Sequence, residues 1–510
     1  MQQDGSTPPL RVVIVGGGTA GWMCAAGLSR LLAPADYAIT LVESDEIGTV
    51  GVGEATLPHI KTFNDMLGID EAQFMRDTQG SFKLGIEFVG WDRPGSRYIH
   101  PFGTFGEPWA GVDFQHHWTR ATLAGRDVGS LQAYSYAVAA CRAGGFEFPN
   151  EDLKSIRSTY AYAYHFDAGL YANFLRSWST ARGIERIEGQ VVHVVRDPGS
   201  GHVAALTLKS GARVEGDLFV DCSGFRSLLV GGTMGVAWHD WSEWLPCDRA
   251  LAVPCERVEP LTPYTRATAQ TGGWTWRIPL QHRTGNGHVF SSRFCSEEQA
   301  RDTLLGALDA PALAEPRLLR FQAGRRARAW EGNCVAIGLA GGFLEPLEST
   351  SIFLIQAAVT DLANLMPVRG GGVDPRLAAE FNRLFEIHYD RTRDFIVLHY
   401  TANRRVGEPL WDHVRGMALP DSLAHKIALF EASAAAPDYK LGLFSRDSWL
   451  AVFEGQGVLP RGYNRLADRI PLAETEAKLG DLRARIATNA AEMSPHAGFI
   501  ATYCARASAA

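Results

Sequence analysis

The sequence predicts an α/β fold with α+β elements: a two-dinucleotide-binding-fold body carrying a largely helical C-terminal cap. Three observations point there. A branched-aliphatic strand, Val12 to Val15, runs straight into a glycine turn and an amphipathic helix. A second buried strand, Ala38 to Val42, ends on an acidic residue, Glu43. Beyond about residue 370 the pattern changes to long amphipathic helices, at Leu377 to Tyr400, Ser422 to Ala434 and Leu472 to Ala490. The expected division is a body with an inserted sheet over 1–370 and a cap over 371–510, continuous in space with it.

The composition narrows the function classes. The chain has 510 residues, 46% hydrophobic and 21% charged, the profile of a globular protein with a large core. A net charge of −7 leaves no basic footprint for nucleic acid or an anionic membrane. The eight cysteines form no C-x-x-C pair, which argues against zinc, iron–sulfur and disulfide frameworks and predicts no metal. Reduced thiols in the cytoplasm are the expected state. The opening segment MQQDGSTPPL lacks an apolar core, and no run of about 18 apolar residues occurs, so neither signal peptide nor membrane span is expected.

Taken in order, the first turn carries the most chemistry. Gly16, Gly18 and Gly21 stand in the G-x-G-x-x-G spacing, with Thr19 and Ala20 between them. The first permits a tight turn, the second a close approach to a pyrophosphate, the third close helix–strand packing. The helix that follows offers unpaired N–H groups and a positive dipole end to phosphate. Glu43 lies about 20 residues past the last glycine, where a carboxylate accepts from a ribose hydroxyl. Gly48 to Thr56, which includes Gly53, Glu54 and Ala55, reads as a strap across the cofactor or as an ordinary flexible loop.

Further along, Lys83 sits among Phe82, Leu84, Ile86 and Phe88. Strand alternation puts it on the face opposite Phe82 and Leu84, and taken alone it reads as a solvated surface lysine. His100 and Phe102 share a face if their segment is extended, with Trp91, Phe105 and Trp109 near enough in sequence to line an aromatic pocket. Asp167 is a good N-cap for the helix after it. Val191 to Val195 and Ala205 to Leu208 read as two short strands, and Asp217 to Ser227 as a buried strand that ends at a glycine turn. Trp274 and Trp276 point to one side of a strand, as core filler or as the wall of a chamber. From Val335 a buried strand, a turn at Gly338 and the run LEPLESTS lead into a helix over Ile352 to Leu365. Backbone N–H groups near Thr350 and Ser351 make an anion-friendly nest, open to a halide, a flavin carbonyl oxygen or nothing. Glu345 and Glu348 are equally readable as helix-start residues favoured by the dipole.

Together these motifs resemble the flavin-dependent halogenases, the tryptophan halogenase superfamily, over nearly the whole length. The resemblance rests on GGGTAGW from Gly16, GVGEAT from Gly51, Lys83 ahead of G-I-x-F-V-x-W, Gly273-Trp-Thr-Trp-Arg-Ile-Pro279, and LEPLEST from Leu344. The glycine fingerprint is common to many flavoproteins; the double-tryptophan motif is specific. What the resemblance implies is an FAD-dependent monooxygenase-like body that uses FADH2, with Val191, Gly338, Leu339 and Ile352 completing the cofactor contacts. A flavin C4a-hydroperoxide would oxidise chloride or bromide to hypohalous acid, which travels by an internal passage to Lys83. Lys83 would deliver the halogen to an aromatic carbon, with Glu348 orienting it or taking the ring proton and Ser349 beside it. Thr350 and Ser351 would hold the halide, His100 and Phe102 would sandwich the substrate, and Trp274 and Trp276 would wall the flavin chamber.

Two departures from the family pattern stand out. Ser351 replaces the usual glycine after the threonine, which bears on halide preference. No Tyr-Tyr pair of the kind that helps grip free tryptophan is present, and Asp447 to Gly457 runs straight through. An open site for indole, a substituted indole or another electron-rich aromatic is therefore expected. The alternatives are a flavin-dependent aromatic hydroxylase and a flavin-binding protein without turnover. With a single dinucleotide fingerprint, FADH2 is expected from a separate flavin reductase or by diffusion. Monomer or homodimer is the expected assembly.

Overall fold

A computed structural model describes residues 8–46, 53–370 and 372–506. The first part of the expected strap, Gly48 to Val52, lies outside the described residues.

The body is built on a six-stranded sheet, in the order Trp330–Glu331, Cys334–Ala336, Leu218–Asp221, Leu10–Val15, Tyr37–Glu43, Glu185–Glu188. Four of its five pairings are parallel, Val15 lying opposite both Val42 and Asp221. A parallel sheet is covered on both faces, which explains the unbroken aliphatic run of its first strand. Val12 and Ile14 face one apolar cluster, Val13 and Val15 another. The helix Thr19–Leu31 covers the first face and the helix Ser351–Asn364 packs beside it.

Two further sheets position the site. A seven-stranded sheet runs Arg317–Arg320, Arg249–Glu256, Arg283–Phe290, Gly273–Pro279, Thr265–Gln270, Gly85–Val89, Arg97–Pro101. A three-stranded sheet pairs Gly53–Ala55 and Ser81–Lys83 on either side of Ala163–Asp167. The chain therefore changes sheets at Leu84, whose N–H bonds Pro263 O instead of a strand partner. Asp167 caps the helix Ala168–Thr180 as expected, its carboxylate accepting from Gly169 and Leu170.

After residue 371 the chain is helical: Pro375–Thr401, Pro409–Gly416, Asp421–Ser433, Arg446–Gly455, Leu472–Ala491 and His496–Arg506. The apolar core runs on into these helices, with Phe381, Phe395 and Leu479 in one cluster with Val12 and Ile352. Among the described residues no helix is long and apolar enough to cross a membrane.

Candidate functional site

The glycine turn forms a cradle open on one side. Gly16 has φ +116°, and a β-carbon there would stand 2.3 Å from Cys222 O. At Gly21 a β-carbon would stand 1.8 Å from Gly16 O, so the helix is pressed onto the turn. Above Gly18 a β-carbon would meet nothing within 4 Å. Gly18 is also the N-cap of the helix, and no side chain caps the first N–H groups there, at Thr19 and Ala20. Such a cradle fits the pyrophosphate of a dinucleotide. Gly338 sits with φ +71° where a β-carbon would come 2.9 Å from Ala20, bringing Gly338 and Leu339 against the same helix end, and Ile352 lies buried in the neighbouring helix. Glu43 reaches over the turn at Gly17 and is ion-paired with Arg186 at 2.5 Å. Val191 opens the strand beyond Gly189, whose N–H bonds Glu43 O.

The far side of this region is the tryptophan strand. Trp274 is buried and Trp276 half-buried, their rings 6.1 Å apart and tilted by 57°. Ala55 packs with Ile278 and Trp276, so the end of the strap lies against the tryptophan strand; Gly53 faces Ile278 across van der Waals distance, and Glu54 between them is half-buried. The indole N–H of Trp274 donates to Glu345 Oε2 at 2.8 Å, and the Tyr400 hydroxyl donates to the same oxygen at 2.6 Å. Burial pushes the Glu345 carboxyl up to about 7, with the two hydrogen bonds pulling the other way.

From Glu345 a short 3-10 turn, Pro346–Glu348, leads to Ser349, which takes a left-handed φ of +58°. That kink turns the Ser349 hydroxyl toward Lys83. Lys83 is fully buried, contrary to the surface position that alternation predicts. The sheet change at Leu84 breaks the alternation, and the strand Ser81–Lys83 is buried at all three residues. The Lys83 ammonium donates to Ser349 Oγ at 2.8 Å and to Thr56 O at 2.9 Å, and lies 5.1 Å from the centre of the Phe102 ring. Burial lowers its pKa to about 7, and the nearby charge of Glu348 offsets part of that fall. The same lysine thus touches both the strap and the Glu-Ser turn.

Glu348 is buried between two imidazoles. His100 Nδ1 lies 2.8 Å from Oε2, and His399 Nε2 lies 2.8 Å from Oε1, off the axis of the ring N–H. Burial pushes the carboxyl up, but the charge and hydrogen bond of His100, with His399 close on the other side, outweigh it and hold Glu348 at about 2. Beyond it, Thr350 is fully buried with its hydroxyl unpartnered at the start of the helix Ser351–Asn364, an arrangement that fits a halide. Ser351 begins that helix and is not among the residues with positive φ, so the backbone makes no demand for glycine there.

The structure brings together the lysine, the Glu-Ser-Thr turn, His100 and Phe102, and it adds groups that sequence reasoning missed. His399 and Tyr400, adjacent on the helix Pro375–Thr401, meet Glu348 and Glu345 respectively. The run Phe395 to Tyr400 is apolar or aromatic apart from His399, a pattern of all-round burial that marks this histidine as enclosed. Phe444 stacks on Phe395 at 3.8 Å and lies 6.1 Å from His100. Lys83, His100, Glu348 and His399 are all shielded from solvent.

A glycine cradle that fits a nucleotide, a double-tryptophan strand and a buried lysine near a carboxylate suit a flavin-dependent enzyme. The family model for tryptophan halogenase matches residues 11–472. The chain is 38% identical over 443 residues to the tryptophan 6-halogenase SttH of Streptomyces toxytricini, covering 82% of this chain and 83% of that protein. Its fold is similar to Xcc4156, a flavin-dependent halogenase from Xanthomonas campestris (TM-score 0.93, 47% identity, 98% of this chain and 99% of that one). It is also similar to BrvH, a flavin-dependent halogenase from Brevundimonas sp. BAL3 (TM-score 0.92, 44% identity, 97% and 99%). The chain belongs to the tryptophan halogenase family and is a flavin-dependent halogenase.

Proposed function

We propose that this enzyme chlorinates or brominates an electron-rich aromatic such as indole or a substituted indole, using FADH2 delivered by a separate reductase. When bound, the reduced flavin with dioxygen supplies the oxidising equivalent that converts a halide to hypohalous acid. Gly16, Gly18, Thr19, Ala20 and Gly21 hold its phosphates, and Gly53, Glu54, Ala55, Val191, Gly338, Leu339 and Ile352 flank it, with Glu43 at the ribose. Thr350 and Ser351 hold the halide at the helix N-terminus. Trp274 and Trp276 fill the space between the two chambers and keep the aromatic substrate from the flavin, which suppresses hydroxylation.

Lys83 receives the hypohalous acid. At about pH 7 a substantial fraction of its amine is uncharged, and only the uncharged amine can form a haloamine, while the ammonium can hydrogen-bond the acid. Ser349 and Thr56 fix the direction of the Nζ lone pair and its N–H groups. His100 and Phe102 sandwich the substrate ring, and Glu348 accepts the proton that the ring carbon releases. The observation that carries this reading is the buried Lys83 amine bound to the residue next to Glu348.

The names of several relatives refer to tryptophan. In the stretch that lacks a Tyr-Tyr pair, both carboxylates already accept a hydrogen bond from the protein. Asp447 accepts from Phe105 N at 2.9 Å and Glu454 from Ser130 Oγ at 2.8 Å. A substrate without a charged backbone fits that arrangement better. The test is product mass spectrometry with indole, substituted indoles and tryptophan, each with chloride and with bromide. Halogenated indole in clear excess over halogenated tryptophan is the expected result. Hydroxylated product, or no product while flavin stays bound, would overturn the proposal.

A further inference from the structure

The strand that carries Lys83 is held from behind by a histidine of the last helix. Along one edge, Ser81–Lys83 pairs with Ala163–Asp167. Away from that pairing, the Phe82 N–H donates to His496 Nε2 at 3.1 Å, and His496 Nδ1 lies 3.0 Å from the carbonyl oxygen of Leu261. A backbone N–H only donates and a carbonyl only accepts, so the ring is the neutral Nδ1–H tautomer with its lone pair on Nε2. No other protonation state satisfies both partners. Burial lowers the imidazole pKa to about 4, against the opposing pull of the Leu261 bond, so the ring stays neutral at pH 7.

The imidazole stands in for one step of a backbone pairing. Two residues on, the Leu84 N–H donates straight to Pro263 O at 2.8 Å. Leu261 comes two residues before Pro263, so one segment serves both donors, directly at Leu84 and through the ring at Phe82. His496, Phe82 and Leu261 are all buried, and without the ring an N–H and a carbonyl would be left unpaired out of reach of water. The Phe82 side chain is clamped too, stacked on Phe146 at 4.0 Å and edge-on to Phe499 of the last helix at 5.8 Å. That helix is seated by Phe146 N–H on Ser494 O and His496 N–H on Gly144 O, both at 3.0 Å. Backbone and ring of the residue before Lys83 are thus fixed from the C-terminal end of the chain, while Nζ is bound by Ser349 and Thr56.

We propose that His496 is a positioning residue for the Lys83 amine: its imidazole, bridging Phe82 N–H to Leu261 O, holds the strand where Nζ meets Ser349 and Thr56. This rests on the role given to Lys83 above. Without the bridge the freed N–H and carbonyl would draw the strand toward other partners. A displacement of about 1 Å in a group that must meet its substrate costs on the order of 10²-fold in rate. A purely structural role would lower the amount of folded enzyme and leave the product formed per flavin oxidised unchanged.

The experiment compares the full-length wild-type enzyme with His496→Phe and His496→Gln. Phenylalanine keeps a ring and loses both bonds, whereas glutamine offers an amide oxygen to Phe82 and an N–H to Leu261. Brominated indole per flavin oxidised is measured at neutral pH. The 15N signal of Lys83 Nζ, assigned by its loss in Lys83→Ala, is recorded on the same samples. Expected in His496→Phe are a fall of about 10- to 100-fold in that ratio and a displaced Lys83 signal, with His496→Gln recovering to within about threefold of wild type. A wild-type ratio with an unmoved Lys83 signal in His496→Phe would overturn the proposal, and so would a glutamine variant no better than phenylalanine. If His496→Phe does not fold, imidazole 15N shifts of the wild type decide, with His496 assigned by its loss in His496→Gln. The Nδ1–H tautomer supports the bridge, and a proton on Nε2 removes it. If Lys83→Ala still brominates, the role of Lys83 fails, while the tautomer and the Lys83 signal still decide whether His496 holds the strand.

Discussion

The 3-10 turn Pro346–Glu348 and the residue before it hold two carboxyls of opposite kinds. Glu345 and Glu348 are three residues apart and both buried. Glu345 is held by the indole N–H of Trp274 and the hydroxyl of Tyr400, neutral donors, and burial lifts it to about 7. Glu348 is equally enclosed, yet two imidazoles bring it down to about 2. Burial sets the penalty for charge, and the partner decides whether the charge exists. One end pins Trp274 to Tyr400 of the helix Pro375–Thr401; the other is the anion near the buried Lys83.

Exchanging the anionic end should do the most damage. Glu348→Gln should lower halogenated product per flavin oxidised by about 10²- to 10⁴-fold, the range for a lost acid–base group. It should also destabilise the fold by about 3–5 kcal/mol, since it strips a buried histidine of its partner. Steady-state product analysis and thermal unfolding check the two parts.

The pH dependence should then separate the two ends in sign. Glu348 has a depressed folded pKa, so it contributes stability above about pH 4.5 that is lost as the pH falls toward 2. Glu345 has a raised one, so its contribution is full below about pH 4.5 and is lost as the pH rises through 7. Unfolding midpoints of Glu345→Gln and wild type from pH 4 to pH 8 should draw together or cross in favour of the variant as the pH rises. Parallel curves would mean that Glu345 does not titrate in this window.

Smaller effects follow at the pin. Trp274→Phe removes one of the two donors to Glu345 and should cost about 1–3 kcal/mol, read as a drop of a few degrees in Tm. Glu345→Gln should be the mildest change, within about 1 kcal/mol at pH 6, because an amide oxygen can still accept from Trp274 and Tyr400. A large loss of halogenation in Glu345→Gln at that pH would erase the distinction between the two ends.

The same contrast explains what could be read from the sequence. The nucleotide cradle is contiguous: Gly16, Gly18 and Gly21 state their spacing in six residues, and the parallel sheet follows from Val12 to Val15. The order of strands in the seven-stranded sheet had no such signal, because its pairings join segments far apart, such as Gly85–Val89 with Thr265–Gln270. Motif resemblance singles out Lys83 and Glu348, while local alternation places Lys83 in solvent. Alternation failed because it assumes a single strand where the chain passes between two sheets at Leu84. His399 and Tyr400 were missed because a helix pattern says which face is buried but not which carboxylate waits there. The LEPLEST run showed two glutamates and gave no sign that they would ionise differently, since the deciding partners lie on other elements.

The central claim is that an enclosed amine, walled off from the cofactor, carries the halogen to the ring. Lys83→Ala tests it most directly, with flavin oxidation and brominated indole quantified in one reaction. The account predicts that flavin oxidation continues while brominated indole falls below detection. Bromination by the variant at the wild-type rate would contradict it.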